Sequence, residues 1–226
     1  MSRTHFGYPL ALGDVQAANV NSGLPGLECL PPVIYEITPV ALDADGIAAA
    51  QAVAGAGNLT LNGALASGGT VTLDVPRTVE IDSSDAGDTT QTATVTGTDV
   101  YGKPMTELIA FNGTTAVAGQ KAFKKITQIA ISAAMTGNAN AGTTDVFGLP
   151  VRVTSRNRML TAWDGAFVTT GTFAGGDTTS PATTTTNDVR GTFLVPSAAD
   201  GTRVLTCYIW PTNPDNLIAC YGVTQV

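Results

Sequence analysis

From Asn58 onward the chain alternates between apolar and polar positions. Leu59 and Leu61 are separated by a polar neighbour, Val71, Leu73 and Val75 repeat the pattern, and Val79 and Ile81 continue it. Strand side chains point to opposite faces in turn, so each run places its apolar residues on one side. Between the runs stand Asn62-Gly63, Ser67-Gly68-Gly69, Gly87-Asp88, Tyr101-Gly102-Lys103-Pro104 and Asn112-Gly113, residues that accept or fix the backbone angles of tight turns. Short runs rich in Val, Ile, Leu and Thr, punctuated in this way, predict an all-β fold, an antiparallel β-sandwich or jelly-roll-like body. Its clearest unit begins at Thr92: Thr92, Thr94 and Thr96 alternate with Ala93 and Val95, Tyr101-Gly102 turns the chain, and Met105 to Phe111 returns as the second arm of a hairpin. Another strand, Lys125 to Ser132, carries Ile126, Ile129 and Ile131.

The two ends read differently. Tyr8-Pro9, Gly23-Leu24-Pro25-Gly26 and Pro31-Pro32 forbid a long helix near the start, and the spacing of these breakers predicts an extended N-terminal arm, followed by a short strand from Val33 to Val40. Asp43-Ala44-Asp45-Gly46 then opens the one segment with helical character, Gly46 to Ala54, which ends at Gly55-Ala56-Gly57; its alanines favour a helix, its shortness a small-residue loop. Beyond Val151, the run Met159-Leu160-Thr161-Ala162-Trp163 precedes a Gly- and Thr-rich stretch, Gly175 to Asn187, which predicts an exposed loop. Val204 to Trp210 and Leu217 to Val223, joined by a turn from Pro211 to Asn216, are apolar on both faces, as in strands covered on both sides or shared with a second chain. The organisation is therefore an arm and first strand over 1–42, a β-sandwich domain over 43–150, and a C-terminal β region over 151–226 that can pack with the arm.

Composition narrows the function. The chain has 226 residues, 43% apolar and 13% charged, which suits a folded body with a core of its own and not a disordered chain. Its net charge of −7, from 18 acidic and 11 basic side chains, repels a polyanion, and no arginine or lysine stripe offsets it, so direct nucleic-acid binding is not expected. Lys121, Lys124 and Lys125 form the densest basic group and read as solvated charges guarding a strand edge. Cys29, Cys207 and Cys220 are too far apart and odd in number for a metal knuckle or a disulfide framework; they read as buried thiols, although Cys207 and Cys220 could face each other across a hairpin. Met1 to Leu12 has no continuous apolar run of the kind a secretory signal carries, and no segment approaches the roughly 20 apolar residues that cross a bilayer.

Candidate chemistry is sparse. The single histidine, His5, lies among breakers with no nucleophile beside it, and neither a G-x-S-x-G elbow nor an H-E-x-x-H helix is present. The chain is therefore expected to be no enzyme and to need no cofactor. Asp82, Asp85 and Asp88 cluster in one loop; they are turn formers by type, and calcium ligands only if backbone carbonyls bring the oxygen count to about six or more. Asp43-Ala44-Asp45-Gly46 starts like a calcium loop but lacks the closing glutamate. Arg152, Arg156 and Arg158 lead into Trp163, a pairing that suits core packing, a docking surface or a sugar-stacking site. With Tyr8 and Pro31 of the arm, these four are the candidate partner-binding residues.

Asp45-Gly46-Ile47, the run from Gly57 to Gly63, Leu73-Asp74-Val75-Pro76-Arg77, the run from Thr94 to Asp99 and Cys220-Tyr221-Gly222-Val223 resemble segments of bacteriophage virion proteins, in particular the capsid decoration or cement proteins of tailed phages. The resemblance spans most of residues 43 to 226, and its motifs are turns and strands. It implies a protein made in the host cytoplasm that binds the outer surface of the major capsid protein lattice and reinforces the head, as a dimer or trimer. An arm such as Met1 to Pro32 would reach across subunit boundaries and order on binding. The alternative within the same fold class is a tail, neck or head-fibre component with receptor or glycan binding. A glycan-active enzyme is a third reading, and it requires a convergent pair of carboxylates.

Overall fold

The alternating runs become strands, and the pairings between the described strands are antiparallel. The computed structural model describes residues 6–10, 13–17, 32–179, 183–210 and 224–226. Within the region read as an arm, β1 (Phe6–Leu10) and β2 (Gly13–Ala17) pair from Phe6↔Ala17 to Leu10↔Gly13. The remaining strands are β3 (Val33–Ile37), β4 (Ala48–Ala52), β5 (Gly57–Asn58), β6 (Ala66–Ser67), β7 (Thr70–Ser83), β8 (Thr92–Thr98), β9 (Pro104–Ala110), β10 (Val117–Ala118), β11 (Phe123–Ile131), β12 (Asn138–Gly148), β13 (Met159–Trp163), β14 (Ala166–Val168), β15 (Thr172–Gly175), β16 (Gly191–Leu194) and β17 (Leu205–Ile209). One sheet runs β15-β16-β12-β7-β11-β8-β9, with β4, β5, β6 and β10 paired along it, and a second runs β14-β13-β17-β3. The larger sheet curls into a half-barrel, and the whole is an all-β sandwich, as the alternation predicts.

Two cores fill it. Val71, Val79, Ile81, Val95, Ile109, Phe123, Ile126 and Ile129 lie inside the curl, whereas Phe147, Val153, Phe193, Leu205, Cys207 and Ile209 form a separate core under the smaller sheet. β7 and β12 run through both: Ile81 and Ala141 belong to the first core, Val75 and Phe147 to the second. The two runs expected on either side of Pro76 are thus one strand. Proline has no N–H to give the ladder, and the pairings of β7 with β11 and with β12 both shift register in this stretch.

The segment read as a weak helix or a small-residue loop, Gly46 to Ala54, contains the strand β4 (Ala48–Ala52). β4 pairs with β12, Asn138↔Ala52 through Ala141↔Ala48, and Ile47 and Ala48 are fully buried. Alanine's helical preference is worth only tenths of a kcal/mol per residue, and an isolated helix this short is marginal in water. Pairing satisfies the backbone and buries Ile47 as well. The Gln51 side chain adds a second tie, accepting from Thr60 N at 2.9 Å and donating to Thr60 O at 2.9 Å.

The hairpin from Thr92 is present as read, β8 pairing β9 from Thr92↔Ala110 to Thr98↔Pro104. Val204 to Trp210 contains β17, a central strand between β13 and β3; Leu217 to Val223, Cys220, Cys29 and Pro31 lie outside the described residues. Cys207 is a free, buried thiol, and burial pushes its pKa up to about 12. Within 175–187, Thr178, Thr179 and Thr185 are exposed and Thr186 is buried.

Gly97 marks the tightest approach between strands. A Cβ there would stand 1.9 Å from the Lys125 carbonyl oxygen on β11, so the obstacle is backbone and has no rotamer to yield. Gly97→Ala should lower stability by about 1–3 kcal/mol, the usual cost of overpacking. Urea unfolding reads the change directly, and an unshifted midpoint would contradict the packing described here.

Candidate functional site

The smaller sheet buries one face and leaves the other open. On β3 the burial alternates, so Ile34 and Glu36 point outward. The register aligns Leu160, Tyr208 and Ile34 in one cross-strand row, and Phe167, Ala162, Thr206 and Glu36 in the next. Phe167 is 71% exposed, Ile34 64% and Leu160 53%, and the Phe167 and Tyr208 rings meet at 5.9 Å, tilted by 42°. Thr206 Oγ1 donates to Glu36 Oε2 at 3.3 Å, on the same face. Fully covering a side chain of this size is worth about 1.5–3 kcal/mol, so this is a face with much to gain from a partner.

A rigid underside presents it. Asp164 (φ 53) and Gly165 (φ 79) form the two-residue turn between β13 and β14, and paired positive φ values are what such a turn demands. The turn sets Phe167 opposite Ala162. Trp163 is only 6% exposed and its indole N–H donates to Ser197 Oγ at 2.8 Å. Arg156 sits 5.5 Å from the Phe193 ring, donates to Thr161 Oγ1 at 2.8 Å and Val168 O at 3.3 Å, and also bonds Met159 O.

Of the other residues singled out in the sequence, Arg158 is exposed next to this sheet, its carbonyl accepting from Trp210 N at 2.8 Å, and Arg152 is half-buried with its Nε lacking a hydrogen-bond partner. Tyr8 lies on β1, opposite Val15 of β2. The loop acids do not converge. Asp88 is buried and accepts from Ser83 Oγ at 2.6 Å and from Thr136 N and Gly137 N at 2.9 Å each, bonds that hold its carboxyl below the ordinary range. Asp85 accepts from Gly87 N at 2.7 Å, and burial raises Asp82. No group of His, Cys, Asp or Glu among the described residues is placed to hold a metal ion.

A second feature had no sequence signal. Asp99, Glu107, Lys121, Asp188 and Arg190 are each 1% exposed or less. Arg190 binds Asp99 at 2.5 Å and Asp188 at 3.4 Å, and its Nε donates to Leu149 O at 3.1 Å. Asp99 also accepts from Tyr101 N and Lys103 N at 2.8 Å each, and Asp188 from Ala122 N at 3.1 Å. Lys121, expected among solvated edge charges, is therefore interior, and Lys124 reaches back to Leu73 O at 2.6 Å and Asp74 O at 2.8 Å. Burial pushes the Tyr35 hydroxyl up, and the Arg190 charge acts against it.

Searches of family models, curated proteins and solved structures found no match to this chain.

Proposed function

We propose that this chain is a structural attachment protein of a phage particle, a decoration protein that seats on the outer surface of the major capsid protein lattice and stabilises the head. The observation that carries the reading is the open face of the four-stranded sheet, where Phe167, Leu160 and Ile34 stand exposed around Tyr208. Aromatic and aliphatic anchors on a rigid support are the usual centre of a protein interface. The turn and strand segments that resemble phage virion proteins support a place in the particle, and the lattice is the partner this reading assigns to the open face. Trp163, the ring a glycan-binding tail or fibre component would offer, is inside the core, which favours the decoration reading over that alternative.

A protein that binds the assembled lattice and not dispersed subunits stabilises the shell by mass action, by about 2.7 kcal/mol at a hundred times its Kd. Shells of the cognate capsid protein saturated with this chain should therefore disassemble at a higher temperature than bare shells. Equal disassembly temperatures would count against the proposal.

A further inference from the structure

The buried layer also holds the last described residues. Gln225 is 3% exposed and lies beside β9 in a parallel bridge to Met105. Its N–H donates to Pro104 O at 2.9 Å, and its carbonyl accepts from Thr106 N at 2.8 Å and from the Lys121 ammonium at 3.2 Å. Its side-chain oxygen accepts from Val189 N at 2.9 Å. Residues 224–226 thus form a strap, pinned by β9, by Lys121 and by the segment before β16.

The charges around the strap do not balance. Three acids, Asp99, Glu107 and Asp188, face two bases, Lys121 and Arg190, in the buried set, and Asp177 lies near enough to Lys121 to act on it as well. Arg190 is shared by Asp99 and Asp188. Among the described residues the Glu107 carboxylate accepts from backbone donors, Gln120 N and, at 3.2 Å, Lys121 N. It is the surplus acid, and a proton on it brings the five groups to neutrality.

We propose that the protonation of Glu107 controls the strap: neutral Glu107 leaves the Lys121 ammonium on the Gln225 carbonyl, and ionised Glu107 draws it away and frees the edge of β9. Lys121 ties the two sites together, its backbone N–H donating to Glu107 at 3.2 Å and its ammonium to the Gln225 carbonyl at 3.2 Å. Burial supports the direction, raising the Glu107 carboxyl from 4.5 to about 7 against the Gln120 and Lys121 N–H groups and the Lys121 charge, which lower it. Because the folded-state value is raised, the associated stabilisation is complete below the ordinary carboxylate range and is lost as pH rises through about 7. The strap is therefore seated in acid and loosened in mild alkali. A freed β9 edge offers unpaired backbone groups to a strand from another chain. This inference is independent of which partner occupies the open sheet face.

Amide hydrogen exchange on the full chain tests it, with each rate corrected for intrinsic exchange at its pH. Protection of the Gln225, Thr106 and Val189 amides, measured relative to the interior strand amide of Val95, should fall by about tenfold or more between about pH 6 and about pH 8. Glu107→Gln, which fixes the neutral form, should abolish that fall. A flat profile in the unsubstituted protein, or the same fall in the variant, overturns the proposal. If the variant does not fold, the side-chain carboxyl carbon resonance of Glu107 in the unsubstituted protein decides: it must titrate with the midpoint at which the three amides lose protection, and titration in the ordinary carboxylate range overturns it.

Discussion

Replacing Arg190 by methionine lowers the free energy of unfolding by about 3–5 kcal/mol, the cost of removing one partner from a buried ionic group. The guanidinium is the only cation in ion-pair contact with Asp99 and Asp188 among the described residues, and both carboxylates are 1% exposed or less. Without it Asp99 keeps its two backbone donors and Asp188 keeps Ala122 N and the residue-190 N–H, but both lose the cation in direct contact with them, in a medium that screens poorly. Methionine retains much of the packing volume, so the loss is chiefly electrostatic. Urea denaturation should show a lower midpoint with an unchanged slope; a loss below about 1 kcal/mol would mean that water or rearrangement replaces the arginine.

The second large effect is on binding and leaves the fold alone. Phe167→Ser with Leu160→Ser removes two exposed apolar groups from the open face, so folding stability should stay within about 0.5 kcal/mol of the parent. Buried at the centre of an interface, two anchors of this kind contribute about 2 kcal/mol or more each, and affinity for the lattice should drop by about a thousandfold. The contrast with Arg190 is the point: one substitution lowers stability through a buried charge, the other lowers affinity through an exposed ring. A double variant that unfolds would show that Phe167 and Leu160 serve the chain's own packing.

The sequence carried the strands well and the charges poorly. Thr92 to Phe111 is legible because period-two alternation and a Gly-containing turn agree with each other; Val204 to Trp210, apolar on both faces, is legible as the strand β17, but it buries only the Leu205, Cys207 and Ile209 face and leaves the other partly exposed. Gly46 to Ala54 misleads because alanine's local preference is weaker than pairing with β12, a partner some 90 residues away that no local window contains. The buried layer was hidden for the same reason. Arg190 and Asp99 are 91 residues apart, Lys121 and Gln225 are 104 apart, and charged residues are by type expected outside. The open face did have a signal. Asp164-Gly165 between apolar positions is a strong hairpin cue, and with it Phe167 falls opposite Ala162 instead of trailing behind Trp163. The tryptophan and Arg156 attract attention by residue type, yet both lie under the sheet and support it.

The most direct test of the attachment role is co-sedimentation of the purified protein, and of the Phe167→Ser, Leu160→Ser variant, with assembled shells of the cognate major capsid protein. Saturable binding of the unsubstituted chain at a fixed ratio per capsid subunit, lost in the folded variant, is the predicted result. Absence of binding to intact shells, or equal binding by both proteins, would contradict it.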